Sequence, residues 1–270
     1  MQDELRAARE AARSGAEAII ARRGNVGLVR LKSTLTDVVT DADIAAGVAV
    51  ALSLLAHDPG ARFVIEESEV YELAGVVEGS LSEGDTWVVD PLDGTTSFVH
   101  GYPTYSVSVA LLREGRPVVG ATYNVPTGEL VSGAVGHGAW RDEERVKCTG
   151  VSGLAEALLI TGFPYDRGAL LDRQLDCLGS FLRSPVHGIR RDGSAAVDCC
   201  HVACGRADGF WEFGLKPWDM AAGVVILGEA GARVTGIGGE EWTPASTGII
   251  AANLALHELM CAVILPEDRS

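Results

Sequence analysis

The sequence contains no continuous apolar run of about 18 residues or more, so it predicts no helix that spans a membrane. It begins with charged residues of both signs rather than an apolar signal core, and it has no Asn-X-Ser/Thr glycosylation acceptor. Together these absences predict a cytoplasmic protein that has no membrane partner.

Basic residues are scarce in this chain. Its 22 Lys and Arg residues face 37 Asp and Glu residues, which gives a formal net charge of −15 at pH 7. Because nucleic-acid-binding domains usually carry a basic surface, we expect no direct binding of nucleic acid. The 270 residues are 47% hydrophobic and 22% charged, a balance typical of a globular protein with a large core.

The six cysteines do not form a recognisable zinc motif. The segment that contains Cys199, Cys200, His201 and Cys204 resembles a metal cluster, but its spacing fits no closed zinc site and no second cysteine pair faces it. The same segment has the pattern of a helix, so we expect buried free thiols here.

The predicted elements run from helices through an antiparallel sheet to alternating strands and helices. An amphipathic helix is predicted over 3–23 and an apolar helix near 42–56. The acidic, glycine-containing stretch 69–85 predicts a mobile loop, and residues 105–148 predict an antiparallel meander. The alternating strands and helices of the second half complete an order that predicts stacked α and β layers.

A weak shift in composition near 148–153 is the one candidate boundary in the chain. It divides the sequence into an N-terminal half, 1–150, with the antiparallel sheet, and a C-terminal α/β half, 151–270. We expect the two halves to form one compact unit, with the second half completing a site begun in the first.

Residues 87–98 give the strongest functional signal. A short apolar run ends in Asp90 and Asp93, and Gly94 and two hydroxyl residues beginning with Thr95 follow directly. Carboxylate oxygens suit hard divalent cations, and backbone N–H groups at a turn attract phosphate. The combination predicts metal-assisted phosphoryl chemistry. No Lys or Arg occurs from 85 to 112 to neutralise these carboxylates, whereas a bound cation would.

Two further carboxylates could join this site. Glu66 follows the short apolar strand 63–65, so two adjacent strand ends would place it beside Asp90. Asp219 follows Pro217 and precedes an apolar helix, which puts it at a helix N-terminus. Each residue alone also has an ordinary interpretation, because Asp commonly caps helices and Glu66 could begin a solvated loop.

With these residues marked, the chain resembles the inositol monophosphatase family over nearly its whole length. Four segments match family motifs in the same order. The first runs from Lys32 to residue 43, the second covers 66–68, the third covers 90–101, and the fourth covers 218–223 and continues to 229–231. The resemblance implies an α-β-α-β-α layered sandwich of the sugar-phosphatase type, with α/β and α+β character, in a homodimer. It also implies a magnesium-dependent, lithium-inhibited phosphomonoesterase with two or three Mg²⁺ ions in each site.

The resemblance assigns roles to individual residues. Thr95 and Asp43 would orient and help deprotonate the attacking water, with Glu66 close to that water. Gly94 and Thr95 would offer N–H groups to the phosphate. The implied metal ligands are Glu66, Asp90, the Leu92 carbonyl, Asp93 and Asp219. The implied contacts to the substrate are Asp93, Gly94, Thr95, Gly193, Ser194, Ala195, Glu212 and Asp219.

Departures from the family pattern bear on the substrate. Ser97 stands where Asn is usual, and Ile65 stands where Gly is usual. Arg191 is a candidate for binding a second anionic group, against the more ordinary interpretation of a solvated strand end. The resemblance favours a small phosphorylated polyol or sugar as the substrate, with inositol 1-phosphate as the first candidate. The alternatives are fructose 1,6-bisphosphate, histidinol phosphate, adenosine 3′,5′-bisphosphate and, in another class, a regulatory protein-binding role.

Overall fold

The structure is a computed structural model that describes residues 1–23, 30–31 and 38–265. Lys32 and Gly24, the predicted end of the first helix, lie outside these residues. The described helices are α1 Gln2–Ile20, α2 Asp41–His57, α3 Glu69–Ala74, α4 Thr95–His100, α5 Ala169–Arg183, α6 Ala195–Ala203, α7 Pro217–Glu229 and α8 Leu254–Ile264. The described strands are β1 Arg30–Leu31, β2 Val38–Val39, β3 Arg62–Ile65, β4 Val77–Glu78, β5 Asp85–Asp93, β6 Ser106–Arg113, β7 Arg116–Asn124, β8 Glu129–Ala134, β9 Gly138–Arg141, β10 Glu144–Val146, β11 Leu158–Thr161, β12 Gly188–Arg190, β13 Gly209–Phe213, β14 Arg233–Gly236 and β15 Gly248–Ala252.

The helices and sheets stack in five layers. Helices α1 and α2 cover one face of an eight-stranded sheet with the order β10-β9-β8-β7-β6-β5-β3-β4. Helices α6 and α7 cover its other face and also contact a five-stranded sheet with the order β12-β11-β13-β15-β14. Helices α5 and α8 pack on the far face of that second sheet. This arrangement confirms the predicted α-β-α-β-α sandwich.

Three apolar cores fill the spaces between these layers. Alanines such as Ala8 and Ala11 on α1 are fully buried in the first core, between the outer helices and the large sheet. Small side chains let α1 and α2 approach each other closely. Because helices cover both faces of the large sheet, β6 is buried along nearly its whole length and does not alternate between buried and exposed residues.

The sheet order explains how the site residues meet. Strands β3 and β5 are parallel neighbours, with Ile65 opposite Val89, so both strands end at the same edge of the sheet. The Glu66 N–H donates to the Val89 carbonyl at 3.2 Å, which places Glu66 next to the end of β5 at Asp90. The predicted adjacency of the two strand ends is confirmed.

The prediction of a loop over 69–85 was wrong for much of that segment. It contains α3 and the short strand β4, and β5 begins at its last residue. Val70 is fully buried against the first core, and this tertiary contact stabilises a helix that its acidic, glycine-containing sequence alone did not indicate. The predicted meander is confirmed by the antiparallel strands β6 to β10.

Other boundaries differ in the second half. Helix α7 begins at Pro217, before Asp219 rather than after it, because proline is well tolerated in the first turn of a helix. Strands β11 and β14 were not predicted. None of the helices in the described residues has both the length and the apolar composition needed to cross a membrane.

All six cysteines are free thiols. In the segment where buried free thiols were predicted, Cys199 and Cys200 are buried, whereas Cys204 is partly exposed. Within the described part of the chain, none of them belongs to a group of residues that could hold a metal ion.

Candidate active site

Three carboxylates converge where the large sheet meets α7. Asp90 and Asp93 come from the end of β5, and Asp219 is the third residue of α7. One oxygen from each lies within 4.8 Å of the others, and this is the one group of candidate metal ligands found among the described residues. The donor atoms are all carboxylate oxygens, which suits a hard divalent cation.

The electrostatics of this cluster also favour a cation. Burial raises the pKa of Asp93 to about 6, and the negative charge of Glu66 adds to the shift. Burial raises the pKa of Asp219 well above its usual value, and repulsion from Asp93 and Glu66 adds to it. Ionised carboxylates are therefore costly here unless positive charge joins them, so the residues fit a bound metal ion.

Hydrogen bonds from neighbouring segments fix the carboxylates. Asp93 Oδ2 accepts hydrogen bonds from the Ser194 hydroxyl at 2.6 Å and from the Ala196 N–H at 2.8 Å. Asp219 Oδ2 accepts from the Lys216 N–H at 2.7 Å, which caps the first turn of α7. Helices α6 and α7 thus position side chains that act together with the end of β5.

Thr95 and Asp43, the predicted pair that orients water, are in direct contact. The Thr95 hydroxyl lies 2.8 Å from Asp43 Oδ1 and 3.0 Å from the Leu92 carbonyl oxygen. Asp43 is fully buried, and its Oδ2 accepts from the Thr40 N–H at 2.8 Å and the Thr40 hydroxyl at 2.6 Å. A capping box at the start of α2 therefore fixes the Asp43 carboxylate, which in turn accepts the hydrogen bond from Thr95.

Gly94 forms the tight turn between β5 and α4. Its φ is +90°, and a Cβ atom there would lie 2.9 Å from the Thr104 carbonyl oxygen and 3.0 Å from the Gly193 carbonyl oxygen. Conformation and space both require glycine at this position. The turn brings the predicted phosphate-binding N–H groups directly beside the segment that begins at Gly193.

Glu66 lines the same cleft as the three carboxylates. It is not part of the group whose oxygens lie within 4.8 Å of one another. The structure therefore brings three of the predicted acidic ligands together and places the fourth beside them.

Glu212 occupies the opposite wall of the cleft, on β13 of the second sheet. A Cβ atom at position 162 would overlap the Glu212 carboxylate, so Gly162 leaves the space that this carboxylate fills. Burial raises the pKa of Glu212 to about 8, with further contributions from Asp219 and Asp93, while Arg191 opposes the shift.

The predicted substrate segment 193–195 divides into two roles. Gly193 and Ala195 line the cleft, whereas the Ser194 side chain is buried and bonded to Asp93. The Ser194 hydroxyl also accepts from the Val197 N–H at 3.4 Å, which caps α6. Ser194 therefore positions a carboxylate and a helix.

The cleft has a cavity volume of about 90 Å³, and sequence reasoning missed one of its walls. This wall consists of Gly162, Phe163 and Tyr165, which follow β11, together with Leu215. The apolar run Leu158–Thr161 followed by a glycine was the available signal, since strand ends of this kind commonly border active sites.

The fold and the site define a metal-dependent phosphatase, a phosphoric monoester hydrolase with a layered α/β architecture. A sequence model of the inositol monophosphatase family matches residues 1–267. The chain belongs to this family.

Individual relatives agree with the assignment. An inositol-1-monophosphatase from Synechocystis sp. is 36% identical over 96% of this chain and 87% of its own length. A putative Nus factor SuhB from Neisseria meningitidis serogroup B is 36% identical over 98% of both chains. The crystal structure of the suppressor protein suhB from Bartonella henselae matches with a TM-score of 0.85 and 34% identity, covering 95% of this chain and 96% of that one.

Proposed function

We propose that the protein hydrolyses the phosphate monoester of a small polyol or sugar, with inositol 1-phosphate as the first candidate, in a Mg²⁺-dependent reaction. The observation that carries this proposal is the approach of Asp90, Asp93 and Asp219 within 4.8 Å, beside the Gly94 turn and the Thr95–Asp43 pair. The name of the Synechocystis relative, inositol-1-monophosphatase, supports the choice of substrate.

The metal would be held by oxygen atoms alone. The proposed ligands of two or three Mg²⁺ ions are Glu66, Asp90, the Leu92 carbonyl, Asp93 and Asp219. When bound, Mg²⁺ lowers the pKa of a water molecule and neutralises charge on the phosphate. Few protein ligands suffice, because Mg²⁺ usually keeps several waters and shares the substrate phosphate.

The remaining polar groups of this side would orient the reactants. Because Thr95 donates its hydroxyl hydrogen toward Asp43, its oxygen can accept a proton from the attacking water while Asp43 receives the hydroxyl proton. The Gly94 and Thr95 N–H groups would hold the phosphate for in-line attack, with Glu66 next to the water. The water oxygen then bonds to phosphorus as the bond from phosphorus to the ester oxygen breaks, and that oxygen takes up a proton from solvent water to leave as the alcohol.

The opposite wall would bind the alcohol part of the substrate. Glu212 presents a carboxylate that accepts hydrogen bonds from hydroxyl groups, and Gly193 and Ala195 leave space for the ring, near Asp93 and Asp219. Lithium inhibition and a homodimer stay predictions from the resemblance. The cytoplasmic location and the division into halves at about residue 150 stay predictions from the absent signals and the shift in composition.

The test is an assay of phosphate release after removal of metal with EDTA. Adding Mg²⁺ should restore hydrolysis of inositol 1-phosphate. The same assay on fructose 1,6-bisphosphate, histidinol phosphate and adenosine 3′,5′-bisphosphate compares kcat/KM among the candidate substrates and shows which one the enzyme prefers. The absence of Mg²⁺-dependent turnover on every small monoester would contradict the proposal.

A second candidate is a protein-binding role in transcription. The observation that favours it is the likeness, over 98% of both chains, to the Neisseria relative named a putative Nus factor. Such a role would not need the carboxylate cluster. This candidate is supported if the unmodified protein and the Asp93→Asn variant both form a stable complex with transcription proteins. It is excluded if neither of them does.

A further inference from the structure

Arg191 stands out among the charged residues that line the cleft. Among the residues that the structure describes, the other charged lining residues are all acidic, and they are Glu66, Asp90, Asp93, Glu212 and Asp219. Within the described residues, the Arg191 guanidinium makes no hydrogen bond or ion pair, and its central carbon lies 5.9 Å from the centre of the Phe163 ring. A basic group therefore faces an acidic cleft with its donors available.

The guanidinium lies close to the turn that would bind phosphate. A Cβ atom on Gly193 would be 2.8 Å from Arg191 Nη1 and 3.3 Å from the Ser97 hydroxyl oxygen. The Gly193 carbonyl oxygen is in turn 3.0 Å from the position of a Cβ atom on Gly94. Because Gly193 has no side chain, the guanidinium fits directly against it, with the Ser97 hydroxyl bordering the same space.

We propose that Arg191 selects substrates whose alcohol part carries a second anionic group, either a phosphate or a carboxylate. A guanidinium offers five N–H donors in a planar arrangement that matches the two oxygens of such a group. Hydroxyl groups already have an acceptor on the same wall in Glu212, whereas Arg191 is the basic residue that the described part of the lining offers to an anion. This inference rests on the proposed function and names the substrate class of the same site.

Arg190 provides a matched control. It is the neighbouring residue of the same type, is exposed, and its Nη1 donates to the Ile189 carbonyl at 3.2 Å rather than lining the cleft. A change at Arg190 removes the same charge at nearly the same place in the chain. Comparison of the two positions separates direct recognition from a general effect of charge.

The test measures kcat and KM with Mg²⁺ for inositol 1-phosphate, fructose 1,6-bisphosphate and 6-phosphogluconate. Fructose 1,6-bisphosphate carries a second phosphate and 6-phosphogluconate carries a carboxylate, so these two compounds distinguish the two kinds of anion. Arg191→Gln should lower the ratio of kcat/KM for at least one of them to that for inositol 1-phosphate by about 30-fold, mainly through KM. Arg191→Lys should recover part of the loss, and Arg190→Gln should leave the ratio within about twofold, since its side chain points to a backbone carbonyl.

A ratio that stays constant in Arg191→Gln, or that falls equally in Arg190→Gln, would overturn the inference. If no compound is hydrolysed, the proposed function has failed, and binding decides the inference separately. In that case the rise in Tm produced by each compound with Mg²⁺ is compared between the unmodified protein and Arg191→Gln. A smaller rise for the doubly anionic compounds in the variant supports the inference, and equal rises refute it.

Discussion

The two walls of the cleft differ in how their polar side chains are held. On the strand-end wall, formed by Asp90, Asp93, Thr95 and Asp219, hydrogen bonds fix the side chains, and Thr95 is bonded to Asp43, which is buried behind it. On the alcohol wall, formed by Phe163, Tyr165, Arg191 and Glu212, neither Arg191 nor Glu212 makes a hydrogen bond within the described part of the chain. One wall is organised in advance, and the other keeps its charged groups for a ligand.

This difference matches the tasks proposed for the two walls. Every substrate of the enzyme carries the same phosphate, so groups that act on it can be fixed during folding without losing generality. The alcohol parts of different substrates vary, and a site that recognises them needs donors and acceptors that the protein itself leaves unused. We therefore expect substitutions on the strand-end wall to lower kcat, and substitutions on the alcohol wall to change KM and substrate preference.

The largest effect should come from Asp93→Asn. The amide oxygen can still accept from the Ser194 hydroxyl and the Ala196 N–H, but the negative charge is lost, so activity should fall by about a thousandfold. Phosphate release with Mg²⁺ measures the loss, and Tm in EDTA should stay equal or rise because a buried charge has been removed. The control is Asp58→Asn, an exposed residue that accepts from the Gly60 N–H. Full activity in Asp93→Asn would contradict the metal assignment.

Thr95 tests whether the fixed hydroxyl takes part in the reaction. Thr95→Ala removes the oxygen that contacts Asp43 and should lower kcat about 100-fold, in the range expected for general base catalysis. Thr95→Ser keeps the hydroxyl, so its kcat should fall by less than about tenfold. Thr96→Ala, at the exposed neighbouring position, should have the kcat of the unmodified protein. Equal rates for the Ala and Ser variants at position 95 would remove Thr95 from the mechanism.

On the alcohol wall, Glu212→Gln should act mainly on binding. Bound Mg²⁺ would offset the charges of Asp219 and Asp93, which help to raise the pKa of Glu212. The amide of the variant accepts hydrogen bonds from substrate hydroxyls less strongly than a carboxylate does, so KM for inositol 1-phosphate should rise about tenfold while kcat changes little. Steady-state kinetics separate the two constants, with the exposed Glu258→Gln on α8 as a control. A fall in kcat with constant KM would show that the two walls do not divide the work as proposed.

The smallest effect concerns the stability of the metal-free protein. The pKa of Glu212 is 4.5 in an unperturbed group and about 8 here, so the folded state binds its proton more tightly than the unfolded state does. The resulting stability is complete below pH 4.5 and is lost as the pH rises through about 8. In EDTA, Tm should fall by about 5 °C between pH 6.5 and 8.5, and Glu212→Gln should reduce that fall. An equal fall in the variant would assign the pH dependence to other groups.

The local parts of the site were predictable from the sequence. Asp90, Asp93 and Gly94 lie within five residues of one another, and a strand end followed by a turn is encoded by neighbouring side chains. Glu66 could be placed beside Asp90 because parallel strands end at a common edge. The Phe163 and Tyr165 wall could not be placed, since it follows a strand whose sequence gave only a weak pattern.

The sequence by itself determined which chemical groups this protein has and where each strand end, turn and helix cap begins. Only the tertiary structure decided which of those groups are paired. The Ser194 hydroxyl reaches Asp93 across 101 positions of chain because α6 packs between the two sheets. The same packing leaves Arg191 in the cleft without a hydrogen bond or ion pair to any described residue. The physical reason is that capping and turn formation depend on adjacent residues, whereas pairing across the cleft depends on how five layers stack.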